Sequence, residues 1–279
     1  MFPANNSLLY SRKKGVVVQR IRGFLRYEGR FPWSLSAAIA LAITLVAATA
    51  AGALLLQARA NPQDRIPSYV AWTPETLAAA SRGDAFRGML LARRCDHCHG
   101  AEGFSAVGYT PNLAGIDRLA IWKQLEDFRS YKRISREMNP IAESLSPRDL
   151  ADVVAYFAKL PAFADPGDHR IFPQSRPDPI RAGIASRLVS FGDGERGIPP
   201  CQACHGPVGY RPGAPLLVNQ NAEYVLNQLE AFATGSRAND INMPMRTIAG
   251  LLSEDERHAL AEYYGAGLGL EPASLTAPK

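Results

Sequence analysis

The chain of 279 residues has only four cysteines, five methionines and three tryptophans. It has no alternation of apolar and polar residues long enough for a sheet, which argues against sandwiches and barrels and leaves helices as the framework. Charge is also missing in one place: from Phe31 to Ala58 there is no Asp, Glu, Lys or Arg. The formal net charge is +5, but residues 1–60 hold eight Lys or Arg against Glu28 alone, so the remaining residues sum to −2. A basic face for nucleic acid on the folded part is therefore excluded, and the basic arm needs another explanation.

The uncharged segment supplies that explanation. Leu35 to Leu56 is an almost unbroken run of Ala, Leu, Ile, Val and Thr. At ~1.5 Å per residue its 22 positions span about 33 Å, enough to cross a bilayer. Arg12, Lys13, Lys14, Arg20, Arg22, Arg26 and Arg30 precede it, and Trp33 stands where an interfacial aromatic belongs. The expectation is a cytoplasmic basic arm over 1–33, a transmembrane anchor over 34–57 and a Pro-containing tether over 58–74. The folded part would then lie in the periplasm of a bacterium, attached to the inner membrane. Ala58-Arg59-Ala60 has the form of a cleavage site, but the apolar run is longer than a signal peptide's roughly 7–15 residues.

Beyond the tether the chain repeats itself. Gly83-Asp-Ala-Phe-Arg-Gly88 is echoed by Gly192-Asp-Gly-Glu-Arg-Gly197, and Gln124-Leu-Glu-Asp-Phe128 by Gln228-Leu-Glu-Ala-Phe232. Cys95 and Cys201 lie 106 residues apart; Met138 and Met245, and Tyr156 and Tyr263, lie 107 apart. Two all-α domains follow, over 75–165 and 186–270, with a linker over 166–185 and a tail over 271–279. Arg118 to Arg133 and Ala222 to Ala233 carry helical periodicity. Thr73-Pro74, Ser146-Pro-Arg-Asp149 and Ser253-Glu-Asp-Glu256 read as helix starts.

All four cysteines fall in Cys95-Asp-His-Cys98-His99 and Cys201-Gln-Ala-Cys204-His205. Two thiols at this spacing reach the vinyl groups of a porphyrin, and the following histidine ligates the iron, so the chain is expected to carry two haem c groups. A thioredoxin-like pair lacks its βαβ surroundings here, and a four-cysteine zinc site would place its pairs closer together. Met138 and Met245, at matching places in the repeat, are the expected sixth ligands, closing each iron as a centre for outer-sphere electron transfer. Met243 competes with Met245 in Met243-Pro-Met245, and repeat register selects Met245. Pro111 and Pro215 are expected to offer a carbonyl to the other ring nitrogen of His99 and His205. His97, His169 and His258 are expected to be surface or satisfied residues.

These residues resemble the dihaem cytochrome c4 family. The resemblance rests on Asn219 to Phe232, Gly235-Ser-Arg-Ala-Asn-Asp240 and Met243-Pro-Met-Arg246, and on Pro111-Asn-Leu-Ala-Gly115 and Lys123 to Phe128 in the first half. It covers about residues 82–268 and implies two class I cytochrome c folds facing each other across a pseudo-twofold axis. It also implies His99 with Met138, and His205 with Met245, as ligand pairs. Ile116 and Val218-Asn219 depart from the family pattern of Gln or Gly. The chain is therefore expected to have no catalysis of its own and to carry electrons from a quinol-oxidising complex to a terminal oxidase. A permanent subunit of an oxidase or dehydrogenase complex is the other reading, for which Ala38-x-x-x-Ala42 and Ala48-x-x-x-Gly52 offer a packing face. A dihaem peroxidase would require one iron without a methionine.

Overall fold

The computed structural model describes residues 39–47, 49, 66–162, 177–206 and 211–267. The basic arm, most of the expected anchor, residues 58–65 of the tether, residues 166–176 of the linker with His169, and the tail lie outside the described residues. Residues 39–47 and 49 are helical, with Thr44 and Thr49 donating back to carbonyls three and four residues before them. Among the described residues no helix is long and apolar enough to cross a membrane.

From residue 66 onward the chain is helical, and its only described β pairing is the isolated bridge between Asp193 and Ile198. The first half contains α1 (Pro74–Ser81), α2 (Ala85–Ala92), α3 (Asp96–His99), α4 (Arg118–Arg129), α5 (Met138–Glu143) and α6 (Pro147–Phe157). The second contains α7 (Pro179–Ser190), α8 (Gln202–His205), α9 (Ala222–Thr234), α10 (Pro244–Leu251) and α11 (Glu254–Gly265). The starts read from sequence are the ones built. Thr73, Ser146 and Ser253 cap α1, α6 and α11, and Ser253 with Glu256 completes a capping box.

Each half has its own core. In the first, Leu119, Trp122, Leu125 and Phe128 of α4 meet Leu150, Val154 and Phe157 of α6. In the second, Leu188 and Val189 of α7, Leu229 and Phe232 of α9, and Leu260 and Tyr264 of α11 form the equivalent cluster. Helix α2 crosses α6 at backbone contact: a Cβ on Gly88 would lie 1.9 Å from the carbonyl oxygen of Asp152. Only glycine permits that approach.

Three expectations change. The Gly83–Gly88 motif opens α2, with Asp84 capping it, whereas Gly192–Gly197 is a turn that follows α7. The true counterpart of α2 is therefore α7, which packs against α11 as α2 packs against α6. Residues 191–200 are an insertion before Cys201. Arg196 pins it, donating to Asp193, to both carboxylate oxygens of Glu256 and to the carbonyl of Leu251. Like letters adopt unlike structures because α7 has already ended at Ser190, while Pro199-Pro200 blocks a new helix before Cys201. The stretch read as linker also contains the start of α7, whose Ala185 and Leu188 are fully buried in the second core. Part of the expected tether packs as well: Trp72 lies against the first core, and Ser68 donates to the buried Asp127 at 2.5 Å.

The two halves meet through repeat-equivalent residues. Gln124 and Gln228, and Arg133 and Arg237, are each 104 residues apart. Arg133 donates to Gln124 (2.8 Å) and across to Gln228 (2.9 Å), while Arg237 donates to Gln228 (2.7 Å) and across to Gln124 (2.9 Å). This reciprocity is that of a pseudo-twofold axis. Beside it, Lys123 Nζ donates to Asp127 of its own helix and to the carbonyl of Asn239 in the other half, and has no counterpart in the repeat, where Asn227 and Ala231 stand.

Candidate haem centres

Each Cys-x-x-Cys-His motif forms a single helical turn. In α3 and α8 the amide of the histidine donates to the carbonyl of the first cysteine, at 2.9 Å for His99 and 3.0 Å for His205. The turn gathers both thiols and the imidazole at one place, as attachment to one porphyrin requires. None of the four cysteines is paired in a disulfide. Burial pushes the Cys95 and Cys201 thiols up to about 11, so both stay neutral, unlike the acidic thiolate of a redox-active Cys pair.

The histidines are oriented alike. Nδ1 of His99 lies 2.9 Å from the carbonyl oxygen of Pro111, and Nδ1 of His205 lies 2.8 Å from that of Pro215. A carbonyl only accepts, so Nδ1 carries the proton and Nε2 keeps a free lone pair. Burial holds both imidazoles below the usual histidine range against the raising effect of these carbonyl bonds, so both are neutral. A neutral imidazole with its distal nitrogen free and its other nitrogen anchored is the ligand geometry that haem iron asks for. The donor set thus fits the cofactor.

The proximal loops are built into the domain interface. Asn112, next to Pro111, donates through its backbone amide to Gln220 (2.7 Å) and through Nδ2 to the carbonyl of Asn219 (2.7 Å), and its own carbonyl accepts from Gln220 (2.9 Å). Asn219, one of the departures from the family pattern, takes the left-handed conformation that Gly115 takes in the first half. Their amides donate to the carbonyls of Tyr264 and Phe157, each at 3.0 Å. Asparagine is the residue other than glycine that most readily adopts this backbone, so the departure leaves the loop intact.

Met138 begins α5 and Met245 lies in the first turn of α10; both are half-buried and packed against their own cores. Met243 has positive φ and is 52% exposed, so the two sulfurs of Met243-Pro-Met245 differ in placement. Two residues not singled out in the sequence hold these segments. Buried Asn139 donates to the carbonyls of Phe128 (2.6 Å) and Arg133 (2.9 Å) and accepts from the amide of Ser135 (2.6 Å). In the second half the carboxylate of Asp240 takes this part, accepting from the amide (3.0 Å) and Nε (2.6 Å) of Arg246. The shared signal is a short polar residue beside each methionine segment, visible only after the loops are folded. His97 is exposed and His258 half-buried, as expected of residues outside the centres. No group of three or more His, Cys, Asp or Glu able to hold a separate metal occurs among the described residues.

Comparison with known proteins agrees with this geometry. Residues 78–157 match the family model described as cytochrome c oxidase, cbb3-type, subunit III. The chain is 37% identical over 194 residues to a cytochrome c4 of Thiocapsa roseopersicina, covering 67% of this chain and 94% of that one. It is 42% identical over 177 residues to a thiosulfate dehydrogenase electron acceptor of Stutzerimonas stutzeri, covering 62% and 78% of the two chains. The crystal structure of reduced recombinant cytochrome c4 from Pseudomonas stutzeri superposes with a TM-score of 0.59 at 33% identity, covering 67% of this chain and 99% of that one. With two attachment turns, two oriented histidines and two helical cores, the chain belongs to the cytochrome c4 family of dihaem c-type cytochromes, electron-transfer proteins that carry two haem c groups.

Proposed function

We propose that His99 with Met138, and His205 with Met245, are the axial ligand pairs of the two irons. One haem is attached through Cys95 and Cys98 and the other through Cys201 and Cys204. The observation that carries this reading is the matched pair of imidazole-to-proline carbonyl bonds, which leaves one free ring nitrogen in each half. Bound there, haem supplies a one-electron iron couple, whose potential rises with a thioether opposite the imidazole. The residues supply the rest. Pro111 and Pro215 fix the ring orientation, and Asn139 and Asp240 hold the segments that bear Met138 and Met245. With His99 and Met138, and His205 and Met245, as ligands, the residues would leave neither iron an open site for peroxide or oxygen.

The chain works as a carrier on the outer face of a bacterial inner membrane, with residues 34–57 as a single-pass anchor and the haem domains in the periplasm. The uncharged run behind a basic arm supports this placement. Anchoring confines the carrier near its partners and raises their effective concentration. Electrons enter from a quinol-oxidising complex and leave to a terminal oxidase. A second reading, a subunit or dedicated acceptor of a dehydrogenase that oxidises thiosulfate, is favoured by the 42% identity to the relative of that description.

The full chain, extracted from native membranes in mild detergent, separates these readings. Release as a free dihaem protein, reduced faster by quinol through the quinol-oxidising complex than by thiosulfate through a dehydrogenase, is the expected result. A stable stoichiometric complex with a dehydrogenase, reduced by thiosulfate, sinks the shuttle form. Recovery of the haem domains in the soluble periplasmic fraction sinks the anchor.

A further inference from the structure

Among the described residues three buried side-chain atoms have no hydrogen-bond partner: Oδ2 of Asp152, Nε of Arg257 and the hydroxyl of Tyr264. The first two belong to groups served in other ways. Asp152 accepts from the Asp84 amide at 2.6 Å and pairs with Arg87 at 3.2 Å, and Arg257 donates through Nη1 to the carbonyls of Leu252 and Ala249. Tyr264 has a single polar side-chain atom, and that atom is the orphan. The residue is 4% exposed, so bulk solvent does not serve it.

The fold does not ask for this hydroxyl. Tyr264 is the repeat counterpart of Phe157: their carbonyls accept from Asn219 and Gly115, each at 3.0 Å, and each ring meets that of the preceding tyrosine, with centroids 5.6 and 5.1 Å apart. Phenylalanine fills the place in the first half with no polar atom. A buried hydroxyl without an acceptor costs free energy that phenylalanine does not, so its presence in one half alone points to something there to bond. The position borders the haem-binding loops. In the first half a Cβ on Gly103, four residues beyond His99, would stand 3.1 Å from the Phe157 ring. In the second, Cys201 packs against the cluster that contains Tyr264, and outside α11 it is the group whose charge reaches the hydroxyl. Burial pushes that hydroxyl well above the usual tyrosine range, so the proton stays on the oxygen. A protonated hydroxyl in a dry site can donate, and a donor beside a redox cofactor favours the state that carries the extra electron.

We infer that the Tyr264 hydroxyl donates into the second haem site, on the side where Cys201 is linked, and raises the reduction potential of that haem relative to the first, whose equivalent Phe157 has nothing to donate. Two centres with like axial donor sets thereby become unequal, and an electron on the protein is biased towards the second. This rests on the assignment of the haem centres above.

The test is Tyr264→Phe in the full-length holoprotein, a change that removes one oxygen and keeps the packed ring. Spectroelectrochemical titration should show one midpoint potential lowered and the other unchanged, the affected reduction equilibrium constant falling about fivefold, or ~41 mV for one electron at ~59 mV per tenfold. In the Met138→Ala background the shift should fall on the potential that Met138→Ala leaves in place. Guanidinium unfolding of Tyr264→Phe should give an unfolding equilibrium constant raised about fivefold, because a bonded hydroxyl has been lost. Reduced-minus-oxidised infrared spectra of protein with ring-labelled tyrosine should show a C–O band in the wild type that the variant lacks. Unchanged potentials overturn the inference, and so does a shift confined to the first haem. A loss of stability with both potentials in place means a purely structural bond, and a gain in stability means that the hydroxyl is an orphan in the holoprotein too; either result also overturns it. Two haems per chain by pyridine haemochrome and the far-red thioether band, measured on the same samples, report separately whether the assignment of the centres has failed.

Discussion

Replacing Asp127 by alanine should be among the most damaging single changes that touch neither haem centre. Asp127 is fully buried and Lys123 is 5% exposed, while Asn239, which bonds to both, is 1% exposed. Asp127 Oδ1 accepts from Ser68, and Oδ2 accepts from Lys123 and from Asn239 Nδ2 at 2.7 Å. Burial already pulls the Lys123 ammonium below its usual range against the pull of Asp127. Removing the carboxylate leaves that ammonium in a dry site, which costs about 3–5 kcal/mol. In a folded unit of this size the loss corresponds to roughly 10 °C in Tm. The double variant Lys123→Met/Asp127→Leu removes both charges at similar volume and should recover most of the loss, because a buried pair gains little over a well-packed apolar one. Guanidinium unfolding of the holoprotein, followed by far-ultraviolet circular dichroism with the m-value checked for a two-state transition, measures all three variants. A cost below ~1 kcal/mol for Asp127→Ala, or a double variant worse than that single one, would refute the reasoning.

The remaining predictions concern the helix crossing, the inserted turn and the ligands. Gly88→Ala places a methyl 1.9 Å from the Asp152 carbonyl and 2.9 Å from Tyr156 Cβ, so α2 and α6 must separate. The expected cost is about 3 kcal/mol, the upper end of ordinary overpacking, and a midpoint unchanged in denaturant would rule out the close crossing. Hydrogen bonds from Arg196 hold Glu256 below the usual glutamate range. Its folded pKa being depressed, the stability it contributes is fully present above about pH 4.3 and lost as the pH falls through the folded value. The unfolding midpoints of wild type and Glu256→Gln should therefore differ at pH 6 and converge in acid, and an equal gap at both pH values contradicts the assignment. Met138→Ala should keep both haems covalently bound in a pyridine haemochrome assay while lowering the potential of one centre alone. An equal response from both centres would show that the two ligand sets are not independent.

Much of the candidate site was legible in the chain because its chemistry is local. The Cys-x-x-Cys-His turns and the capped starts of α1, α6 and α11 lie within a few residues of what they serve, and the proline carbonyls that meet His99 and His205 follow them by 12 and 10 residues. Local letters misled where context differed. Gly192–Gly197 repeats the spelling of Gly83–Gly88, yet it forms a pinned turn because α7 precedes it and two prolines follow. The roles of Asn139 and Asp240 were not legible, since each acts by bonding to backbone that only the folded loop brings near.

The Gln124–Phe128 echo was visible as a repeat, but nothing in its spelling showed that Gln124 accepts from an arginine 113 residues away. The amino-acid order by itself determined two helical domains with one haem-binding turn and one register-matched methionine each, because covalent attachment and helix capping depend on neighbours along the chain. The tertiary structure alone decided how those domains face each other and where Arg133, Arg237, Lys123 and Asp127 come together. The cost of a buried charge depends on everything packed around it, and those surroundings are drawn from both halves.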